Sequence, residues 1–499
     1  MAEEKRQWAG MMGIFGKLIV VTVVCGVCFC FVGCRRDPTV SGPPEKVAGG
    51  SPGGGELERC VPQCEGKDCG PDGCGGVCGE LCDSDLECVD GFCIGHECDD
   101  HNDVFWDGCT KGLVGEFVVN EKRPGDQAHP DVSILSGDRF VVVWDGQVGQ
   151  EGRGVFARLF TDRAVPEVFD IAVDPECGLK QAWPRVADVG EGGFVVVWTE
   201  YSSARKGDLK LRSFSSAGIP AGSAKTINQF IDFTQEKPDI ARLADGRFIV
   251  TWVTFGQVGT NFDVVGRLLD DQGIPSGDEF IVNEHQDGNQ DQIAVAALSS
   301  GGYVAIWHSS GQDGSLSGVF GRCFSSRGEP LNREFQVNDY SHGVQWMPAV
   351  AALAEDGFVV AWTGEGEGDD SGIFARRFGA GGLPSGKGVL VNQHTGGDQW
   401  EPAVAGFSDG RFMVAWESWI DQHEEGELIL QFFNADGSES KPEFQLNRET
   451  YDGQGDPSLA VFADGRLLVA WYSFLQDGDE RGIMAHLLTG KGERLRVGK

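Results

Sequence analysis

Hydrophobic and polar positions recur in a pattern of four short strands from about residue 116 onward. Each copy has a small apolar stretch, a continuous apolar run ending in Trp, and two stretches in which apolar and polar residues alternate. Asp-Gly pairs between the first two stretches, as at 245–246, are typical of tight hairpin turns, because these turns require positive φ. The pattern predicts seven copies of an antiparallel four-stranded unit. Trp ends the run every 54 or 55 residues, and a Gln lies 17 residues before it: Trp144, Trp198, Trp252, Trp307, Trp362, Trp416 and Trp471, with Gln127, Gln181, Gln235, Gln290, Gln345, Gln399 and Gln454.

Four antiparallel strands in about 55 residues is the size of a β-propeller blade. The count of fourth strands predicts how the ring closes. Residues 117–120 (Phe-Val-Val-Asn) match the fourth strand but precede the first Gln, and the C-terminal tail 494–499 has no match. We therefore predict an all-β chain, with a seven-bladed β-propeller of four-stranded blades over residues 110–499. In this propeller the N-terminal strand completes the last blade, and a small disulfide-rich module precedes the domain.

The N-terminal region has the features of an export signal. Residues 18–33 are uncharged and follow three basic residues. Sixteen residues are fewer than the ~20 that a membrane-spanning helix needs, but they suit the core of a signal peptide. The ending Phe31-Val-Gly-Cys34 resembles the lipobox of bacterial lipoproteins, although that family prefers Leu where this chain has Phe31. The resemblance implies a signal peptide over 1–33 and acylation of Cys34. An uncleaved anchor is the alternative, and residues 34–59, rich in Pro, Gly and Ser, predict a flexible tether.

Ten cysteines fall within residues 60–109. In an exported chain, this density predicts a module stapled by five disulfides, whose pairing the sequence does not reveal. Zinc is the alternative, because spacings such as that of the first two cysteines are tolerated in zinc sites. The amino-acid sequence of this segment resembles cysteine-rich segments and disulfide repeats in surface proteins of myxobacteria and their relatives. The cysteines are Cys60, Cys64, Cys69, Cys74, Cys78, Cys82, Cys88, Cys93, Cys98 and Cys109.

Acidic, Gly-rich segments offer oxygen ligands of the kind that Ca²⁺ prefers. None has EF-hand spacing. Asx turns in the cysteine module and a solvated acidic rim on the propeller are the alternatives. No other cofactor is expected. The calcium candidates are Asp99, Asp103, Asp313, Asp369 and Asp477.

Three tryptophans outside the repeat pattern are candidate ligand-binding residues. Trp183, Trp346 and Trp400 follow the repeated Gln by one or two residues, and exposed aromatic rings there would suit a sugar or a peptide. The alternative is that they cover the top of the core. The repeated Gln could form a ring that binds a ligand, or each could bond the backbone of a neighbouring blade. The repeated Trp is expected in the core, and small first-strand residues are expected to line the central channel.

The repeats resemble a repeat widespread in secreted and surface proteins of bacteria, written EFQVN…GFVVVW…GIFARRF. The resemblance covers residues 116–499 and implies no particular activity. The chain has no HExxH pair, GxSxG elbow or P-loop. Its net charge of −35 disfavours nucleic acid as a partner, because phosphates would be repelled.

We therefore expect a non-enzymatic, monomeric lipoprotein, anchored by lipid to a bacterial membrane, at the outer membrane or cell surface. Its propeller would bind a surface glycan, peptide or protein. One alternative is a propeller glycan hydrolase or lyase that uses acidic residues on the face with the longer loops; another is a structural envelope component. The enzyme hypothesis predicts convergent carboxylates in a deep pocket, and the binding hypothesis predicts a shallow aromatic surface.

Overall fold

The structure is a computed structural model. It describes residues 116–121, 125–149, 152–175, 179–203, 206–419, 426–448, 453–478, 480–495 and 497, and four short strands before them. The signal peptide, the tether, Cys34, Asp99, Asp103 and the pairing of the module cysteines lie outside what it describes. The boundaries at 33, 59 and 109 therefore stay predictions. The four short strands form two antiparallel pairs, Gly70–Pro71 with Val77–Cys78 and Leu86–Val89 with Phe92–Gly95.

Seven antiparallel sheets of four strands form the propeller, with a fifth short strand in blade 5, and this confirms the predicted fold class. In blades 1 to 7 the inner strands are Gln127–Ile134, Lys180–Gly190, Gln235–Arg242, Gln290–Ala297, Gln345–Ala352, Asp398–Gly406 and Gln454–Val461. The second strands are Phe140–Val148, Gly193–Ser203, Phe248–Phe255, Tyr303–Ser310, Phe358–Gly366, Phe412–Trp419 and Leu467–Phe474. The third strands are Gly152–Phe160, Lys206–Phe214, Phe262–Leu269, Ser317–Phe324, Asp369–Gly379, Gly426–Phe433 and Arg481–Leu488. The outer strands are Ile171–Ala172, Lys225–Thr226, Phe280–Ile281, Phe335–Gln336, Leu383–Pro384 with Val389–Leu390, Phe444–Gln445 and Glu116–Val118.

The ring closes as the strand count predicts. Glu116–Val118 pairs antiparallel with the third strand of blade 7, with Phe117 opposite Ala485. The Ile483 amide donates to Asn120 Oδ1 at 2.7 Å, which continues the pairing beyond the strand. The N-terminal strand therefore covers an apolar edge that would otherwise be exposed to other chains.

The core lies between neighbouring blades, and the continuous apolar second strands supply most of it. All seven repeated Trp side chains are at most 2% exposed, which confirms their expected place in the core. The blade 1–blade 7 interface, for example, packs Phe140 and Trp144 against Leu468 and Ala470. Because a blade is covered on both faces, its second strand cannot alternate between apolar and polar residues.

The repeated Gln has a different role from the expected one. It is buried, and in blades 3, 5, 6 and 7 its Oε1 accepts a hydrogen bond from the Trp Nε1 of the same blade, as Gln399 does from Trp416 at 2.9 Å. Among the described residues, Gln181 Oε1 accepts a hydrogen bond from the Val155 amide of blade 1, and Gln127 Oε1 accepts one from the side chain of Asn120, which follows the outer strand of blade 7. The expectation of a backbone bond to the neighbouring blade is therefore wrong as a general rule. The constant 17-residue spacing places the Gln side chain next to the Trp side chain of its own blade. Both groups are buried, and a buried indole N–H and a buried amide each need a hydrogen-bond partner.

Helical structure is minimal in the part of the chain that the structure describes. It comprises two three-residue 3₁₀ turns in blade 5, Ala354–Asp356 and Ala380–Gly382. No helix there has the length and apolar character needed to span a membrane.

Candidate active site at the channel mouth

Every inner strand carries a β-bulge directly after its repeated Gln. The residue two positions after the Gln has a left-handed backbone in all seven blades, with φ between 49° and 58°. None of the seven is Gly or Asn, although an ordinary residue in this conformation costs about 1–2 kcal/mol. Bulges redirect side chains, and backbone strain is concentrated at functional sites. We call these residues the bulge ring: His129, Trp183, Lys237, Gln292, Met347, Glu401 and Asp456.

Neighbouring blades hold the bulge ring in place. The Trp183 amide donates to Asp145 Oδ2 of the preceding blade at 3.0 Å, and the Lys237 amide donates to Thr199 Oγ1 at 3.2 Å. Asp145 and Thr199 each directly follow a repeated Trp. The ring is therefore built by the contact of one blade with the next.

The part of the ring in blades 6 and 7 is acidic. The Glu401 carboxyl accepts a hydrogen bond from the Asp456 amide. Glu417, which follows Trp416, is 3% exposed; its Oε1 accepts from Trp419 Nε1 at 2.6 Å, and its carboxyl also bonds the Tyr472 hydroxyl. Within the described residues, none of the three carboxyl groups forms a salt bridge. We call Glu401, Glu417 and Asp456, with Tyr472, the acidic sector.

Burial and mutual repulsion raise two pKa values in the acidic sector. Burial, followed by the negative charge of Asp456, raises the pKa of Glu401 to about 7, although His129 and the Asp456 amide act in the opposite direction. Burial, followed by the charge of Glu401, raises the pKa of Glu417 well above its usual value. Carboxyl groups that hold a proton near neutral pH are suited to general acid catalysis.

Beside the acidic sector, blade 1 carries a histidine–aspartate pair. His129 Nδ1 lies 2.7 Å from Asp145 Oδ2, and the Asp145 side chain is fully buried. Asp145 also accepts a hydrogen bond from Arg153. Although burial alone would raise the pKa of Asp145, the charge and hydrogen bond of His129, with Arg153 and the Trp183 amide, lower it.

The three predicted ligand-binding tryptophans all lie on this face and are half-buried. Trp183 is itself a member of the bulge ring and lies against His129, with ring centroids 3.7 Å apart. Trp346 and Trp400 directly precede ring members, and the Trp400 ring lies 6.1 Å from that of Trp419. Their role in binding stays a prediction.

The channel wall below the mouth is only partly as expected. Two residues beyond the bulge ring, blades 4 to 7 carry Ala or Ser, but blades 1 to 3 carry Asp131, Arg185 and Asp239. Arg185 Nε lies 3.9 Å from an Asp239 carboxylate oxygen, and Asp131 accepts a hydrogen bond from Ser458 across the seam of the ring. The expectation of small residues is therefore wrong for blades 1 to 3.

The calcium candidates on the propeller support the outer strands. Asp313, Asp369 and Asp477 each accept a hydrogen bond from the Asn that follows the outer strand of their own blade, at 3.3, 2.7 and 2.7 Å. That Asn in turn accepts from a third-strand amide, as Asn392 does from Ile373. In the described residues, no group of three His, Cys, Asp or Glu side chains is placed to hold a metal ion. Cys323 is a buried free thiol, and burial raises its pKa to about 11.

The sequence analysis missed the acidic sector and the His129–Asp145 pair. A usable signal was present, because the position two after the repeated Gln differs in every copy, whereas the Gln itself is invariant and Pro follows that position in six copies. A position whose backbone conformation is the same in every repeat, but whose residue differs in every repeat, is a candidate functional position. The β-bulge that gives this position its conformation is not visible in the hydrophobic pattern.

The sequence matches no protein-family model, and no curated protein is similar enough to match it. Solved structures similar to the chain include a protein of unknown function from Dyadobacter fermentans (12% identity, 75% of this chain and 97% of that one, TM-score 0.47). A second is the GH93 α-L-arabinofuranosidase of Fusarium graminearum with arabinobiose (11% identity, 75% of this chain and 97% of that one, TM-score 0.43). A third is the NanB sialidase from Streptococcus pneumoniae (9% identity, 78% of this chain and 72% of that one, TM-score 0.45). At these identities the likeness concerns the fold alone.

The expectation that the chain is not an enzyme is corrected. Several of the similar propellers are named as glycosidases. In this chain itself, carboxyl groups converge at the channel mouth, as the enzyme hypothesis requires and the binding hypothesis does not. No linear motif marks these carboxyl groups in the sequence, because they come from different blades.

Proposed function

We propose that the propeller is a glycan hydrolase whose active site is the channel mouth, with Glu401 as the general acid. The observation that carries the proposal is the acidic sector, in which three carboxyl groups meet with no salt bridge among the described residues and burial raises the pKa of Glu401 to about 7. Hydrolysis of a glycosidic bond needs such an acid together with a second carboxylate near the sugar.

The roles follow from the surroundings of each carboxyl group. Glu401 would give its proton to the leaving-group oxygen as the glycosidic bond breaks. Asp456, its neighbour in the bulge ring, would stabilise the positive charge that develops on the sugar ring. Glu417 is enclosed by Trp419 and Tyr472, and we assign it the positioning of Tyr472.

Aromatic side chains give the mouth surfaces on which a sugar ring can pack. Trp183 lies on the side of blades 1 and 2, and Trp400 and Trp419 lie beside the acidic sector. Apolar sugar faces pack against aromatic rings, and the hydroxyl groups remain free to bond neighbouring polar groups.

The test is hydrolysis of a panel of chromogenic glycosides and polysaccharides by the purified chain. Glu401→Gln should lower kcat/KM by a factor of about 10²–10⁴, the usual contribution of a general acid. Glu367→Gln, an exposed acid on a loop of the same face, is the matched control and should leave the rate unchanged.

New reducing ends without an unsaturated, ultraviolet-absorbing product identify hydrolysis. An unsaturated product would indicate a lyase instead. No turnover across the panel, or a Glu401→Gln variant as active as the wild type, would contradict the proposal.

We further propose that the enzyme works outside the cytoplasm, attached to a bacterial membrane through acylated Cys34. Support comes from the lipobox-like ending at residues 31–34 and the cysteine-rich segment at 60–109. Labelled palmitate should enter the wild type but not Cys34→Ala. Equal labelling and equal membrane partition of the two would contradict the anchor.

A further inference from the structure

We propose that His129, oriented by Asp145, is the general base of this hydrolysis and removes a proton from the attacking water. The inference rests on the proposed glycan hydrolase function and adds to it the residue that activates water.

The hydrogen bond to Asp145 determines which nitrogen of His129 is free. Asp145 is fully buried, and it accepts hydrogen bonds from Arg153 and the Trp183 amide as well as lying 2.7 Å from His129 Nδ1. A carboxylate with these donors is ionised, so His129 must place its proton on Nδ1. Nε2 is then an acceptor, and no hydrogen bond to it occurs among the described residues. The His129 side chain is 24% exposed.

The imidazole is fixed in orientation. His129 has a left-handed backbone at φ 51°, so its side chain leaves the inner strand at the bulge. Trp183 of blade 2 lies against one face, with 3.7 Å between ring centroids, and the Lys237 ammonium lies 5.9 Å from the Trp183 ring. A general base must be held near the proton that it removes.

The charged groups around the His129–Asp145 pair come from blades 1, 2, 3, 6 and 7, and the one from blade 2 is Arg185, which acts on Asp145. Asp145 and Arg153 belong to its own blade, and Asp126 precedes that blade and pairs with both Arg153 and Arg481 of blade 7. Glu401 and Asp456 lie in blades 6 and 7, and Lys237 lies in blade 3, paired with Asp291. The two arginines are thus neutralised by aspartates. The side of His129 toward blades 6 and 7 meets the acidic sector.

The step balances with water as the only co-reactant. Water gives a proton to His129 Nε2 while its oxygen bonds to the anomeric carbon. The bond from that carbon to the leaving-group oxygen breaks, and this oxygen takes the Glu401 proton. The imidazolium, stabilised by Asp145, then returns its extra proton through solvent to the Glu401 carboxylate, which restores both groups.

The kinetic test compares His129→Gln with His342→Gln, an exposed histidine on the same face. His129→Gln should lower kcat by a factor of about 10²–10⁴, while the alkaline limb of the pH–rate profile, which Glu401 sets, remains. Added imidazole should restore part of the rate. His342→Gln should behave like the wild type.

A second measurement does not depend on activity. Histidine ¹⁵N NMR of the full chain should show neutral His129 with its proton on Nδ1, and Asp145→Asn should shift the proton to Nε2. A wild-type proton on Nε2, or a folded His129→Gln variant as active as the wild type, would overturn the assignment. If the His129 assignment fails in this way but Glu401→Gln is inactive, the hydrolase proposal still stands. If the wild type shows no turnover, the hydrolase proposal itself is wrong.

Discussion

At the scale of residues, the bulge ring keeps a strained backbone conformation at seven equivalent positions around the channel mouth. Seven residues, none of them Gly or Asn, adopt left-handed backbone at the same position. A repeat selected for stability alone would place Gly there, since Gly has no steric penalty at positive φ. Gly instead occurs one residue earlier, at Gly455, where the Glu417 carboxyl and the Tyr472 hydroxyl come close to the backbone. Side-chain size at each of these positions is therefore set by the site.

Gly455→Ala tests how closely the acidic sector is packed. A Cβ at this position would overlap the Glu417 carboxyl and lie 2.5 Å from the Tyr472 hydroxyl. The Glu417 carboxyl and the Tyr472 hydroxyl must both move. We expect kcat to fall by a factor of about 10², because a displacement of about 1 Å in an active site typically lowers the rate by this factor. Gly277→Ala is the control, because a Cβ there meets no atom within 4 Å. Equal activity of the two variants would show that the position of Tyr472 is unimportant.

Asp456→Asn tests the electrostatic coupling within the acidic sector. The negative charge of Asp456 raises the pKa of Glu401 toward 7, so its removal should lower that pKa. Glu401 would then lose its proton at lower pH, and the alkaline limb of kcat/KM should move to lower pH. The limb is measured in the residual activity of the variant. A limb that stays in place would show that another group sets it.

At the scale of elements, a repeated Arg joins the third strands of blades 1 to 5 to the blade before them. In blades 1 to 5 its Nη1 donates to a carbonyl that follows the preceding blade's outer strand, as Arg376 does to Val337 at 2.8 Å. Blade 7 has His486 at this position, fully buried with neither ring nitrogen bonded. Arg494 from the tail donates to the corresponding Leu446 carbonyl instead, at 2.7 Å. In blade 7, the C-terminal tail thus makes the Arg-to-carbonyl contact that the third strand makes in blades 1 to 5.

His486 should make the propeller sensitive to acid. Burial, followed by the charges of Arg494 and Arg448, lowers the pKa of His486 to about 3. Between pH 6.5 and 3 the unfolded chain therefore binds a proton that the folded chain does not, and stability falls as the pH falls through this window. Between pH 7 and pH 4, the free energy of unfolding of His486→Met should therefore fall by about 3 kcal/mol less than that of the wild type. This figure follows from about 1.4 kcal/mol for each pH unit in the window.

Urea midpoints at the two pH values measure this difference. His394→Gln, an exposed histidine, is the control and should lose as much stability as the wild type. If His486→Met loses as much as well, carboxyl groups rather than His486 determine the acid sensitivity.

At the scale of the whole molecule, the candidate site lies across the seam where the first and last strands of the propeller meet. Blades 6 and 7 supply the acidic sector, and blade 1 supplies His129. Ser458 donates to Asp131 across 327 residues of sequence, at 2.9 Å. The outer strand of blade 7 comes from the N-terminal side, so closure of the ring and assembly of the site are linked.

Deletion of residues 110–120 tests this link. It should lower the melting temperature far more than deletion of the predicted tether 35–59, because it exposes the edge of Arg481–Leu488 and removes the Asn120 bonds to Ile483 and Asp477. Hydrolysis should fall with it. Equal melting temperatures for the two truncations would show that closure contributes little to stability.

The sequence alone determined the repeat, the strand order and the closure of the ring, because hydrophobic period, hairpin turns and buried Trp are local and recur seven times. It determined that Trp183 and Trp400 lie on the face with the longer loops. It failed on the partners of the repeated Gln, on the charged channel wall, on the acidic sector and on the His129–Asp145 pair. Only the tertiary structure decided these, since Glu401, Asp456 and His129 are far apart along the chain and meet only when blade 7 packs against blade 1. The bulge that directs them, and the burial that raises the pKa of Glu401 to about 7, are products of that packing.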